Sequence, residues 1–463
     1  MAMKLPLRHL LASLLVVSTV CHALTPGPAC LDVAIIGGGP CGLAAALALR
    51  KASPTCSIAI FERDSELQPM GSSVVVSRAG WAALKCIDAD VCKRLKKQST
   101  PVESIRIVPL GGAAGDAAAP GFARGTLRLF GVVNTVLRFL KLPRLGFVRS
   151  NLWHEVRSTL AARVAEVCGA GTLRKDHALD DLAEAPNGGG FDLLFEHASS
   201  ADGGATSTRV RAKVVLACDG SRSACRELAT REPSAAAVLV DEGKSVWRGL
   251  TSSVDLAGQC TFLRDTAQVN GRLASTFPAG GKDGGASWTV IGPSAQTERR
   301  AVDSADARRR LLAAMPPRGD GAYGPLEDLW RCIEAAPTVI ENRLQVRVFG
   351  PGAPNFCSNT NGLAFLGDAA HPVRPTGEGI ALAFQDAWQL GALVHASPDS
   401  GVVDADVLRC YEAARLPHVR QVSEKVRAMA DSYYADSAAT NQPAAGKKTK
   451  ILPLKPYPVG RTG

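Results

Sequence analysis

Six residues near the start of the chain have the types and spacing of a phosphate-binding loop. The segment Gly37-Gly38-Gly39-Pro40-Cys41-Gly42 lies between an apolar run, 32–36, and a run of good helix formers, 43–52. In such a loop Gly37 permits a tight turn, Gly39 lets a pyrophosphate approach the backbone, and Gly42 lets the helix pack closely on the strand. The unpaired N–H groups of the helix N-terminus then meet the phosphates. The spacing therefore predicts a dinucleotide-binding site.

An acidic residue follows at the distance that this kind of site requires. A second apolar run, 57–61, precedes Glu62 and Arg63, so that Glu62 stands about twenty residues after Gly42. Its carboxylate is predicted to bind the hydroxyls of the adenosine ribose. Arg63 and Pro40 are also candidate cofactor-binding residues. The strand, loop, helix and second strand together predict a Rossmann-like unit.

Two later segments place polar residues at the ends of predicted strands. The run 213–218 ends in Asp219-Gly220, and the run 363–366 ends in Gly367-Asp368 and, shortly after, His371-Pro372. An Asp-Gly pair is by itself a common turn, and a lone Asp368 could be an ordinary helix cap. A carboxylate at this position can also accept hydrogen bonds from ribityl hydroxyls. The helix that begins near Gly377 would then direct its positive N-terminus at the negative charge of a reduced flavin.

These three segments, in this order, resemble the sequence fingerprints of the single-component FAD-dependent aromatic hydroxylases. This family of flavoprotein monooxygenases includes para-hydroxybenzoate and salicylate hydroxylases and zeaxanthin epoxidase, and the resemblance covers residues 32–427. It implies FAD as cofactor, with Arg149 as an FAD contact and Asp219-Gly220 close to both FAD and the nicotinamide donor. The helix around Arg415 matches a family helix with a packing role, and Trp247-Arg248-Gly249 matches a strand of the substrate domain.

The resemblance also implies a reaction. NADH or NADPH reduces FAD, O2 adds at the flavin C4a carbon, and the hydroperoxide delivers one oxygen atom to a small organic substrate. The cofactor supplies the chemistry, while the protein positions it and keeps water out. The sequence has no second glycine-rich fingerprint, so the nicotinamide donor is expected to bind transiently. Three points stay open. The substrate is either aromatic or a polyene or terpenoid, the reaction is either hydroxylation or epoxidation, and the donor is either NADH or NADPH.

The loop expected to face the flavin departs from the family pattern. The family usually has Pro, two residues and then Gly-x-Gly, whereas here Thr376 alone separates Pro375 from Gly377-Glu378-Gly379. Ala381 stands where the family commonly has Asn. An ionised Glu378 near the pyrimidine end of the ring would oppose the negative charge of the reduced flavin. We therefore predict that, in the absence of substrate, NAD(P)H is oxidised to NAD(P)+ while O2 is reduced to hydrogen peroxide.

Two alternatives remain beside a monooxygenase. One is another FAD-dependent oxidoreductase, such as an oxidase, a halogenase or a reductase. The sequence has neither the Trp-x-Trp of halogenases nor a C-x-x-C pair that would indicate a disulfide reductase. The other is a flavin-binding protein without catalysis, which only the altered loop supports. Because none of the thirteen cysteines clusters with His at metal-ligand spacing, no metal site is predicted.

The elements that must position these residues indicate an α/β fold. The prediction is a Rossmann-like FAD-binding domain, built from segments 30–110, 145–235 and 345–430, with a mixed-sheet substrate domain inserted at 236–344. Alternating apolar runs between 238 and 292 indicate a sheet with one covered face. Helices are predicted at 303–314, 377–395 and 407–431. Apolar side chains at helical spacing from Ile380 to Val394 predict that one side of the second of these helices is buried.

Composition and termini complete the predictions. The formal net charge is +10, but the basic residues are scattered without interleaved aromatics, so nucleic acid is not an expected partner. Residues 1–23 have the layout of a signal peptide or leader, which predicts the secretory pathway or the plastid. No later run is apolar enough to span a membrane. Residues 111–120 are predicted to be a flexible insertion, 127–142 a core-facing element and 436–463 a disordered basic tail; the oligomeric state is not predicted.

Overall fold

The computed structural model describes residues 30–68, 71–109, 148–186, 188–198, 206–229, 239–264, 272–280, 284–294, 302–303, 305–315, 324–347, 357, 362–397 and 402–434. The predicted leader, insertion, core-facing element and tail lie outside these ranges. None of the helices within them has the length and apolarity needed to cross a membrane.

The described residues form strands and helices in the following order. The strands are β1 (Cys30–Ile36), β2 (Ile58–Phe61), β3 (Ser73–Val76), β4 (Thr100–Val102), β5 (Ser104–Pro109), β6 (Val148–Leu152), β7 (Leu173–Arg174), β8 (Ala178–Glu184), β9 (Phe191–His197), β10 (Thr206–Ala217), β11 (Leu239–Thr251), β12 (Gln259–Arg264), β13 (Leu273–Pro278), β14 (Ala286–Pro293), β15 (Val302–Asp303), β16 (Ile340–Arg347) and β17 (Leu363–Phe365). The α-helices are α1 (Pro40–Ala52), α2 (Arg78–Ile87), α3 (Ala89–Gln98), α4 (Trp153–Cys168), α5 (Ala224–Ala229), α6 (Ala305–Ala314), α7 (Gly324–Ala335), α8 (Gly379–Ala396) and α9 (Ala405–Tyr434).

The first sheet has the strand order β7-β2-β1-β10-β9-β8, with β17 beside the C-terminal part of β10. Its central strands β2, β1, β10 and β17 are parallel. Strands β2 and β17, the end of β1 at 33–36 and the end of β10 at 214–217 are apolar and buried, as expected for strands covered on both faces. Helix α8 packs on α1 and α2. The approach of α8 to α1 is close because Gly391 faces Ala48, where an added Cβ would lie 2.9 Å from the Ala48 Cβ.

The second sheet has the order β15-β16-β11-β14-β13-β12-β5. It is mixed, because β5 runs parallel to β12 while the other neighbours are antiparallel. One face carries Trp247, Trp288 and Val290, which pack with apolar side chains of α6 and α7. A small antiparallel sheet, β3-β6-β4, lies beside it, and the Ser73 N–H donates to Ser287 Oγ at 3.0 Å.

The predicted α/β fold, with a Rossmann-like unit and a separate mixed sheet, is confirmed. The structure places the end of the predicted 30–110 segment in the second sheet, because β5 pairs with β12. Helix α8 begins two residues later than predicted, and α9 extends at both ends. Pro417 is accommodated inside α9. The domain boundaries themselves stay predictions.

Candidate active site

The glycine loop has the geometry that its spacing predicts. Gly37 has a φ of +105°, and a Cβ there would lie 2.5 Å from the carbonyl oxygen of Cys218. A Cβ on Gly42 would lie 2.1 Å from the Gly37 oxygen, so the helix can pack this closely only without a side chain. Gly39 has no heavy atom within 4 Å of its Cβ position. No side chain caps the N-terminus of α1 at Gly39, so open space and free N–H groups meet where a pyrophosphate would approach.

Glu62 lies directly after β2 and is buried beneath this loop. Its Oε2 accepts a hydrogen bond from the Gly38 N–H at 2.8 Å and pairs with Arg157 Nη2 at 2.7 Å. Arg157 Nε also donates to the Gly38 carbonyl at 2.9 Å. Glu62 and Arg157 therefore hold the loop from below. Arg63, by contrast, projects from the surface beside Asp64 with 80% of its side chain exposed.

Sequence reasoning missed Arg157. A usable signal was its position in α4, where Trp153, Arg157, Leu160 and Val164 recur at helical spacing. An arginine within an otherwise apolar series indicates a buried partner, because burying an unpaired charge is costly. The structure supplies that partner in Glu62 and stacks the guanidinium over the Trp153 ring at 5.4 Å.

The predicted Asp219-Gly220 turn contacts the glycine loop. A Cβ on Gly37 would lie 3.0 Å from the Asp219 Cα. Asp219 Oδ2 accepts the Cys225 N–H at 3.0 Å at the start of α5. Burial raises the pKa of Asp219, and its hydrogen bonds at this turn oppose the rise. Gly220 adopts a φ of +85° with open space around its Cβ position, so a ligand can approach the backbone there.

The predicted Gly367-Asp368 segment forms a short 3-10 turn after β17 and meets the same loop. A Cβ on Gly367 would lie 3.0 Å from the sulfur of Cys41. Asp368 is exposed to solvent. The surrounding protein nevertheless removes much of its hydration and raises the pKa of its carboxyl, while His371 and Arg248 oppose this rise. Asp368 Oδ1 lies 3.7 Å from the Cβ position of Gly379 at the start of α8.

The loop Pro375–Gly379 leads into α8 beside β3. Gly377 has a φ of +91°, and its Cβ position lies 3.7 Å from the Val75 Cβ. No side chain caps the N-terminus of α8, so its first N–H groups can interact with a ligand. Burial raises the pKa of Glu378, and Lys425 of α9 opposes the rise. The Glu378 carboxyl therefore interacts electrostatically with the Lys425 ammonium of α9.

Arg149, the remaining predicted FAD contact, lies on β6. Its guanidinium donates to Ser99 Oγ, to the Ser99 carbonyl at 2.9 Å and to the Lys96 carbonyl at 3.2 Å. These carbonyls belong to the C-terminal end of α3, where a cation is electrostatically favourable. The structure thus places the Arg149 guanidinium at the end of α3, and its contact with FAD stays a prediction.

A buried charge network fixes the Gly367-Asp368 turn. Asp386 of α8 accepts the Gly367 N–H at 2.8 Å and His371 Nε2 at 2.6 Å through Oδ2, and Arg415 Nε at 2.7 Å through Oδ1. Burial alone would raise the pKa of Asp386, but His371 and Arg415 lower it to about 2. Arg415 therefore does more than the packing expected of its helix, because its guanidinium also holds the Asp386 carboxylate in place.

Two cysteines that are distant in sequence meet below the glycine loop. Cys41 and Cys218 are both buried free thiols. The contact with Cys218, together with burial, raises the pKa of the Cys41 thiol well above its ordinary value. The sequence contains no close cysteine pair, but folding brings these two together. Because a thiol with a raised pKa forms little of the reactive thiolate, this contact does not favour a disulfide reductase.

The residues present fit an FAD molecule. The segments that contact one another carry the open position above Gly39, the exposed Asp368 and the uncapped N-termini of α1 and α8. The Oγ1 of Thr376, in the loop before α8, is buried and has no hydrogen-bond partner among the described residues. Among the described residues, no group of three or more His, Cys, Asp or Glu side chains could hold a metal ion.

Comparison with known proteins gives concordant results. The chain is 27% identical over 404 residues to rifampicin monooxygenase of Streptomyces venezuelae, covering 86% of this chain and 70% of that protein. It is 27% identical over 420 residues to an FAD-dependent urate hydroxylase of Klebsiella oxytoca, covering 88% and 92%. The chain is an enzyme of the FAD-dependent monooxygenase type. No protein-family model matches it.

The fold of this enzyme agrees with that relationship. The crystal structure of Klebsiella pneumoniae HpxO complexed with FAD and uric acid superimposes with a TM-score of 0.60 at 20% identity, covering 88% of this chain and 90% of that chain. The resemblance to FAD-dependent hydroxylases that the three motifs predicted is confirmed. The individual cofactor-binding residues stay predictions.

Proposed function

We propose that the enzyme binds FAD along the contacting segments Gly37–Gly42, Asp219-Gly220 and Gly367-Asp368, takes a hydride from NADH or NADPH, and uses O2 to hydroxylate or epoxidise a small organic substrate. The observation that supports this best is the convergence of the three segments, since a Cβ on Gly37 or on Gly367 would lie within 3.0 Å of atoms in a neighbouring segment. The relatives carry names of monooxygenases and hydroxylases of small molecules.

Each segment has a distinct part in this function. The N–H groups of α1 and the open space above Gly39 receive the pyrophosphate. We assign Glu62, whose carboxylate is held by Arg157 and the Gly38 N–H, to the adenosine ribose on the spacing of the motif. Asp368 accepts hydrogen bonds from the ribityl chain. The N-terminus of α8 stabilises negative charge on the ring system. FAD, when bound, supplies the redox and oxygen chemistry, and the protein orients it and excludes water.

The second sheet supplies the opposite wall. The hydrogen bond between the Ser73 N–H and Ser287 Oγ joins β3, beside the flavin-facing loop, to the second sheet. Arg248 of β11 opposes the rise that burial causes in the pKa of Asp368, which supports a position of that sheet near the proposed cofactor segments. We propose that the substrate binds between the second sheet and the loop before α8, as expected for a site at the junction of two domains.

Steady-state oxidation of NADH and NADPH by the purified, FAD-loaded protein tests this function. We expect one or both nucleotides to be oxidised, and oxidation to accelerate when a substrate from a panel of aromatic and terpenoid compounds is added. FAD binding without any nucleotide oxidation would instead support a flavin-binding protein without catalysis. Oxidation that no compound accelerates, with stoichiometric hydrogen peroxide, would support an oxidase.

A further inference from the structure

Strand β11 of the second sheet contains a bulge between Asp241 and Ser245, where its register with β16 shifts. Gly243 adopts a φ of +69° within the bulge, and its N–H donates to Asp241 Oδ1 at 2.8 Å. Bulges of this kind redirect a side chain and are common beside active sites. The side chain that this bulge presents is that of Glu242, which contacts the segment leading to α8.

Glu242 forms an ion pair with Arg374, the residue before the loop Pro375–Gly379, hereafter the α8 loop. Arg374 Nε donates to Glu242 Oε1 at 2.7 Å, and only 16% of the Arg374 side chain and 11% of the Glu242 side chain are exposed. Solvent and salt screen an ion pair with so little exposure much less than a surface pair. The pair therefore fixes the start of the α8 loop relative to the second sheet.

Two further contacts join the same region to the second sheet. The Arg347 N–H at the end of β16 donates to the Pro372 carbonyl at 3.2 Å, and the Ser73 N–H of β3 donates to Ser287 Oγ at 3.0 Å. Each of these two bonds involves a main-chain N–H. Of the three links, the pair of Glu242 with Arg374 is the one formed by two side chains, so single substitutions remove it without altering the backbone.

The α8 loop determines where the first N–H groups of α8 lie. The helix begins at Gly379 with no side chain capping it, and the Oγ1 of Thr376 in the loop is buried without a hydrogen-bond partner among the described residues. These groups are available to a bound FAD. Because groups that take part in a reaction must be held to within roughly 0.5 Å, a shift of the loop away from the second sheet would matter for catalysis.

We propose that Glu242 and Arg374 are positioning residues, which hold the α8 loop against the second sheet and thereby determine how much of the oxidised NAD(P)H serves to oxygenate the substrate. Oxygenation and leakage each consume one NAD(P)H, one proton and one O2. The first yields oxygenated substrate and water, and the second yields hydrogen peroxide. When the pair is broken, the loop moves from the sheet and water enters, which favours peroxide. This inference rests on the proposed function.

Hydrogen exchange of the FAD-loaded protein tests the positioning. Peptides covering residues 371–382 are followed by mass spectrometry in the wild type, in Glu242→Gln, in Arg374→Met and in the double variant. We expect exchange in these peptides to be roughly tenfold faster in each single variant, as for the loss of a hydrogen bond to a charged group. The double variant should be no faster than either, because both substitutions remove one interaction. Arg374→Lys, which keeps the charge, should lie between.

The yield of hydrogen peroxide tests the consequence for catalysis. Peroxide formed per NAD(P)H oxidised is measured in the presence of a compound that accelerates the oxidation. We expect Glu242→Gln and Arg374→Met to raise this yield severalfold, and Arg374→Lys to raise it less. A purely structural role would lower the free energy of unfolding and leave the peroxide yield unchanged.

Arg163→Met is a matched control. Arg163 Nε donates to Asp88 Oδ2 at 2.8 Å, with 20% and 12% of the two side chains exposed, so this ion pair has nearly the same length and burial but joins α4 to the start of α3. Its loss should leave exchange in the α8 loop and the peroxide yield at the wild-type values.

Three results would overturn the proposal. These are unchanged exchange in the α8 loop of both single variants, effects of the two substitutions that add in the double variant, and faster exchange without a change in peroxide yield. A wild type that fails to bind FAD, or whose nucleotide oxidation no compound accelerates, contradicts the proposed function instead. In that case the exchange experiment still decides whether the pair positions the loop.

Discussion

Gly39 is the residue at which the cofactor site can be blocked with little disturbance of the fold. Its Cβ position has no heavy atom within 4 Å, so a side chain there meets the ligand rather than the protein. We expect Gly39→Val to remain folded and to lose most of its FAD, because the side chain occupies the space above the backbone that the pyrophosphate must approach. The ratio of flavin to protein absorbance after purification measures this.

Gly171 provides a matched control, since its Cβ position is equally open but lies in the turn before β7. Gly171→Val should retain the wild-type FAD content. Equal FAD content in both variants would show that the pyrophosphate does not approach Gly39.

Asp368 gives a second prediction, on pH dependence. The pKa of its carboxyl is raised by burial, and the ionised form accepts hydrogen bonds from ribityl hydroxyls more strongly than the protonated form does. The FAD affinity of the wild type should therefore fall on acidification through this raised pKa, at a higher pH than for an ordinary aspartate. Asp368→Asn cannot titrate. It should bind FAD roughly tenfold more weakly and lack this pH dependence.

Fluorescence titration with FAD across the acidic range distinguishes the two proteins. The same pH profile for Asp368→Asn and the wild type would assign the titration to another group. Unchanged affinity in the variant would remove Asp368 from the cofactor site.

At the level of secondary-structure elements, Arg415 connects α9 to the turn that carries Asp368. Its removal leaves the Asp386 carboxylate buried beside His371 and without the Arg415 guanidinium. We expect Arg415→Met to lower the free energy of unfolding of the FAD-loaded protein by about 3–5 kcal/mol, as for a broken buried ion pair. Arg409→Met, on the same helix but exposed, should change it by less than about 0.5 kcal/mol. Urea unfolding measures both.

The direction in which this contribution to the free energy of unfolding changes with pH follows from the pKa of Asp386. Its pKa, which burial would raise, is lowered to about 2 by His371 and Arg415. The stabilisation is therefore fully present above the ordinary aspartate pKa and is lost as the pH falls toward 2. Equal unfolding free energies for Arg415→Met and Arg409→Met would show that the network does not stabilise the fold.

The short loop before α8 is the basis for predicting that NAD(P)H is oxidised, with release of hydrogen peroxide, when no substrate is present. Burial raises the pKa of Glu378, so the group loses its charge at a higher pH than an ordinary glutamate. We expect substrate-independent NAD(P)H oxidation to decrease as the pH falls through that pKa, and Glu378→Gln to reduce this oxidation and its pH dependence. Peroxide production without substrate is the measurement. If the variant shows the wild-type rate and pH profile, Glu378 does not influence the flavin.

For the whole molecule, the sequence predicted the strands and helices that have a local sequence signal, together with the motifs at the ends of the strands. The parallel strands β1 and β2, the glycine loop and the mixed second sheet could be identified because apolar periodicity and glycine spacing are local signals. Comparison with known proteins confirms the fold class and the relationship to FAD-dependent hydroxylases that these signals predicted. Whether Gly37, Glu62 or Asp368 contacts FAD stays a prediction.

Long-range partnerships could not be predicted in the same way. The pairs Arg157–Glu62 and Arg415–Asp386 join elements far apart in the chain, and only a charged residue at an apolar helical position hinted at them. The crossing of β5 into the second sheet has no local signal, because its partner β12 lies about 150 residues later.

Incorporation of labelled oxygen tests most directly that this enzyme carries out monooxygenation. The FAD-loaded protein is given NADPH or NADH, a compound that accelerates nucleotide oxidation, and oxygen-18 gas, and the product is analysed by mass spectrometry. We predict a product heavier by one oxygen-18 atom, with the second atom recovered in water. Nucleotide oxidation that yields only hydrogen peroxide and an unlabelled compound, with every compound that accelerates it, would contradict a monooxygenase.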